Sequence, residues 1–122
     1  MRVLTPAILS ARVSGLLTLV LGLVIWRGHS PGLVPLHMIF GLLLVRAMLV
    51  LAAIAVRRGV STGLVGAAML WAALTIGLGV MQARLFVGSA HWLIQVVHLL
   101  FGLGAMGLSE RLAGTLKRSA SR

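Results

Sequence analysis

The chain has 122 residues, of which 60% are hydrophobic and 10% charged, and eleven Lys and Arg against one acidic residue give a net charge of +10. A soluble domain carries about 25% charged residues, so too little polar surface is present here to cover a water-soluble globule. With no Cys and one carboxylate, Glu110, the chain has no disulfide, thiolate metal site, paired-carboxylate acid/base site or acidic metal cage.

Four apolar stretches follow in order, at 6–26, 35–56, 63–86 and 91–108. Each is near the roughly 20 residues that a membrane-spanning helix needs. The first follows a basic start at Arg2, as in a secretory signal. Its apolar run is long, however, and no A-x-A cleavage site follows, so it reads as an uncleaved anchor. The connectors are short and rich in polar residues, Gly or Pro, which forces sequential neighbours to be antiparallel. The expected fold is therefore all-α: an integral membrane four-helix up-down bundle over 1–113, with a polar cytoplasmic tail over 114–122.

The charge reads as orientation. Arg2, Arg12, Arg57, Arg58, Arg111, Lys117, Arg118 and Arg122 fall on one side, and only Arg27 and Arg84 on the other. Cytoplasmic loops carry the Lys/Arg excess, so both termini are expected in the cytoplasm, at a bacterial inner membrane. Bases beside apolar runs are explained by topology, and nucleic acid is not expected as a partner.

An internal repeat carries the most information. Leu17-Thr18-Leu19-Val20-Leu21-Gly22 matches Leu74-Thr75-Ile76-Gly77-Leu78-Gly79, and an arginine follows five residues after each final Gly, at Arg27 and Arg84. Each half then carries His-x-x-Phe-Gly-Leu: His37, Phe40, Gly41 and Leu42, then His98, Phe101, Gly102 and Leu103. Two helices per repeat preserve direction through the membrane, so a pseudo-twofold axis along the membrane normal is expected.

His37 and His98 stand inside helices two and four, in a chain with few other polar groups. Two imidazoles on facing helices suit the iron of a flat macrocycle, with Gly41 and Gly102 making room and Phe40 and Phe101 packing on the ring. The alternative is an ordinary interhelical hydrogen bond for each. Arg27 and Arg84 are candidates to hold two haem propionates through their planar forks; as interfacial residues they need only snorkel. His29 and His91 form a second related pair, read first as interfacial polar residues and otherwise as facing a quinone, a redox partner or a metal ion. A Met could replace one axial His, although core filling is the simpler use of the six methionines. Arg46 is mid-helix and nine residues after His37, half a turn out of phase, so it points away from the histidine face. It invites a protein partner, a second copy or a lipid phosphate.

One His in helix two and one in helix four, 61 positions apart in a four-helix unit, resembles one half of the haem A synthase family. The stretch Phe86-Val87-Gly88-Ser89-Ala90 leading to His98 is similar to the corresponding connector there. The resemblance implies a haem-holding scaffold. It does not extend to haem A synthesis: Val34 stands where the family's catalytic half has Glu, and the outer-loop Cys pair and the second half are missing.

The first functional expectation is a small b-type cytochrome. It would bind one haem b, or another tetrapyrrole, between His37 and His98 near the outer face and transfer electrons alone or within a larger complex. It reads as an electron carrier rather than a stand-alone enzyme. The alternative is a structural or pigment-binding accessory subunit. A small multidrug exporter matches in size only, since the first helix has no carboxylate for proton coupling.

Overall fold

The computed structural model describes residues 3–28 and 30–120. They form four helices: α1 (Leu4–Trp26), α2 (Val34–Arg57), α3 (Thr62–Met81) and α4 (His91–Ala120). Single 3₁₀ turns at Pro31–Leu33 and Gln82–Arg84 precede α2 and follow α3. All four helices are long and apolar enough to cross a membrane.

The helix ends follow from local chemistry. Gly28 (φ +74°) and Gly59 (φ +66°) supply the left-handed residue that stops α1 and α2. After α2, Gly59 N–H donates to Val56 O, and Val60 N–H reaches back to Ala55 O. This reciprocal pair caps carbonyls that have no partner within the helix. Pro35 lies in the first turn of α2, where its missing N–H removes no helical bond.

The sequence boundary of the fourth helix needs correction. α4 does not stop at Leu108 but continues to Ala120, well into the stretch expected to be a polar tail. Leu112 and Leu116 are fully buried, and Arg58 Nη1 donates to Leu116 O at 3.2 Å. Ser109, Glu110 and Arg111 break the apolar run, but they do not break the helix.

α2 and α4 touch across the bundle, whereas α1 and α3 are kept apart. Packing is tight at one end only. There Leu4–Ala11 of α1, Leu44–Ala55 of α2, Val65–Ala72 of α3 and Ala105–Leu116 of α4 supply the buried core. Met48, Leu51, Leu112 and Leu116 fill its centre, while Ala47, Ala52, Ala55, Ala68 and Ala113 let the backbones approach. We call this the closed end; it carries both chain ends of the described bundle. At the other, open end the helices leave space between them, and Ile94 is the one buried residue of the first turns of α4.

The only acidic residue is used at the closed-end half of the bundle. Arg12 Nε and Nη2 donate to the two carboxylate oxygens of Glu110 at 2.6 and 2.8 Å, tying α1 to α4. Both side chains are about half exposed, so the pair is screened by salt. Arg12→Ala and Glu110→Ala should each lower the unfolding temperature in detergent. The double variant should lose less than the two single losses combined, and that non-additivity should shrink at high salt. A thermal double-mutant cycle at two salt concentrations measures both.

Candidate functional site

The repeat becomes geometry at the open end. His37 of α2 lies against Gly22 of α1, and His98 of α4 lies against Gly79 of α3. A Cβ on Gly22 would stand 3.0 Å from His37 Cε1, and one on Gly79 would stand 3.3 Å from His98 Cε1. The matching glycines of the two repeat halves are thus the floor on which the matching histidines rest. The rings face each other across the α2–α4 contact with centroids 6.1 Å apart and planes inclined by 59°.

His37 is held in a definite tautomer. Its Nδ1 lies 3.0 Å from the carbonyl oxygen of Thr18. A carbonyl only accepts, so Nδ1 carries the hydrogen and Nε2 keeps its lone pair. Thr18 itself is anchored, its hydroxyl donating to Ser14 O at 2.7 Å, and Thr75 repeats this bond to Trp71 O at 2.7 Å. His98 breaks the symmetry: its Nδ1 is buried and has no hydrogen-bond partner among the described residues.

A cavity of about 130 Å³ opens beside the pair, between α1, α2 and α4. Gly15, Gly22 and Gly102 line it with Leu19, Leu99 and Met106, and Trp26, Gln82 and Gln95 add polar atoms. A Cβ on Gly102 would meet nothing within 4 Å, so that glycine leaves open space beside His98. The volume is below the roughly 300–1,000 Å³ of small-molecule pockets. A macrocycle therefore requires the leucines along the α1–α4 seam to turn outward.

The donor set fits a tetrapyrrole better than a bare ion. Among the described residues no three His, Cys, Asp or Glu side chains gather, so no protein cage of metal ligands forms. Two imidazoles suffice only for a metal whose other donors arrive with it, as in a macrocycle. With centroids 6.1 Å apart, the two rings are close enough to belong to one site.

The other sequence candidates are placed differently. Phe101 stacks on Trp71 of α3 at 4.6 Å and 21°, and its carbonyl accepts from Trp71 Nε1 at 2.8 Å. Phe101, Phe40 and Gly41 do not line the cavity; a Cβ on Gly41 would meet Thr18 at 3.7 Å. Arg27 and Arg84 are exposed at the open end, each within two residues of a lining residue, Trp26 and Gln82. His91 Nδ1 lies 3.3 Å from Leu85 O, which makes it a brace for the α3–α4 connector. His29 lies outside the described residues. Arg46 faces away from the cavity, as its phase requires. Sequence reasoning missed the Thr18 carbonyl, because a backbone acceptor leaves no mark in residue type. It also missed Gly22 and Gly79 as ring supports, although the repeat had already paired them.

Comparison with protein-family models, with curated proteins and with solved structures gives no match for this chain.

Proposed function

We propose that the protein is a small membrane cytochrome of the b type, holding one haem b between His37 and His98. The observation that carries this reading is the half-buried imidazole pair, 6.1 Å apart, with His37 oriented by the Thr18 carbonyl. Bound haem would supply a one-electron couple. The chain's own contribution would be to hold the group through His37 and His98 and to leave glycine-lined room for the ring beside them. Arg27 and Arg84 stand at the rim, where their forks can take propionate carboxylates.

Orientation follows from charge. The closed end carries Arg57, Arg58, Arg111, Lys117 and Arg118, so it faces the cytoplasm of a bacterial inner membrane. The histidine pair then sits in the outer leaflet, near an external quinone or redox protein. One centre in one leaflet does not span a hydrocarbon core of about 30 Å, so a partner takes the electron further.

The test is spectroscopic. The protein is purified in detergent from cells supplied with a haem precursor, and its reduced-minus-oxidised visible spectrum is recorded. A sharp b-type α-band with one haem per chain is expected. A colourless, fully helical protein that also fails to take up added haemin would overturn the reading. A magnesium tetrapyrrole spectrum would instead favour the pigment-binding accessory subunit, to which the same two imidazoles are suited.

A further inference from the structure

Arg46 stands twelve residues after Val34 and eleven before Arg57, at the middle of α2. At 1.5 Å per residue its Cα is about 18 and 16 Å from the two helix ends, too far for its side chain to reach a headgroup. Its side chain is exposed and opens into a shallow groove between α2 and α3. Leu42, Leu49 and Ala53 continue the groove along α2 at helical spacing, and Ile76 of α3 forms its far wall. This face is remote from the histidine cavity, and no residue lines both.

The charge has no counter-ion among the described residues. Arg46 makes no hydrogen bond or ion pair with any described residue. The sole carboxylate, Glu110, is already held at both oxygens by Arg12. A second copy would therefore bring another unneutralised Arg46 and no free side-chain carboxylate. In a twofold dimer through this face the two cations would approach each other. The groove itself, an apolar strip with one small residue, suits a helix laid along it.

We propose that the Arg46 groove receives a transmembrane helix of another protein carrying an Asp or Glu at mid-membrane depth. A carboxylate there would meet the guanidinium fork in two parallel hydrogen bonds, and the flanking leucines would exclude lipid from the pair. The ion pair fixes both depth and rotation of the incoming helix. The groove shares no lining residue with the histidine cavity, so its occupant does not depend on what the histidines hold.

The test uses the whole chain in lipid nanodiscs with synthetic single-span Leu/Ala helices. Each helix carries one Glu at one of several consecutive central positions, and a Gln counterpart is made for each. Association is read by energy transfer between dyes. At least one Glu helix should bind about tenfold or more tightly than its Gln counterpart, and Arg46→Leu should remove that difference. Arg46→Gln gives a second neutral variant, and circular dichroism confirms that the bundle remains helical in either. Equal binding of the Glu and Gln helices at every position overturns the proposal, as does a preference that persists without Arg46. Arg46-dependent self-association of the protein alone would also overturn it, by assigning the groove to a second copy.

Discussion

His37→Ala and His98→Ala are each expected to abolish or greatly weaken the b-type band. Each substitution removes one of two protein donors and leaves the fold's closed-end core untouched, since neither ring belongs to that core. The two losses should differ. His37 is preset: its Nδ1–H is given to the Thr18 carbonyl, which fixes the ring and raises the basicity of Nε2. His98 Nδ1 has no such partner. Partners of this kind are worth roughly 10–100-fold in metal affinity. His98→Ala, which keeps the oriented ligand, should therefore retain about tenfold or more haem affinity over His37→Ala. Added imidazole should enter the space left by either ring and restore part of the band. Haemin titration of both variants, with and without imidazole, measures all of this. Undiminished bands in both would place the ligands elsewhere.

Gly104→Ala should destabilise the bundle more than any other single methyl added to a glycine. A Cβ at this position would stand 2.4 Å from Trp71 Cζ2 and 2.7 Å from its Nε1. The indole has little freedom to retreat. It is stacked on Phe101 at 4.6 Å and donates to Phe101 O at 2.8 Å, so both Trp71 and its support belong to the α3–α4 seam. Overpacking of this kind costs about 1–3 kcal/mol. If the ring shifts, its hydrogen bond is lost as well, for about 1 kcal/mol more. The loss should nearly vanish in a Trp71→Ala background, where the obstructing ring is gone. Thermal unfolding of the two single variants and the double variant, in one detergent, gives the coupling. Additive losses would show that the seam relaxes around the methyl.

The elements least legible in the sequence share a physical cause. Apolar length located four helices, because a spanning helix must present apolar side chains at almost every position. The same criterion stopped the fourth at Leu108, where Ser109, Glu110 and Arg111 begin. Backbone bonding is indifferent to that change of polarity, and Leu112, Ala113 and Leu116 keep one face buried. The Arg12–Glu110 pair joins residues 98 positions apart, beyond any local pattern. The meeting of His37 and His98 was legible because repeat symmetry relates the two places. Phe101 shows where symmetry misleads. Trp71 occupies the repeat position of Ser14, and Gly104 that of Leu43, so a large residue and a small one have exchanged sides. The second half thereby gained an aromatic stack that the first half has no residue to make.

The closed and open ends divide the molecule's tasks. Side chains that keep the helices together gather where the chain ends lie, and those that face the cavity gather at the opposite end. On the proposed function, the haem group would enter through the open end of the bundle. Damage should also sort by position: lesions near Met48 and Leu112 should reduce how much protein survives, and lesions at Gly22 and Gly79 should disturb the histidine pair while sparing the core.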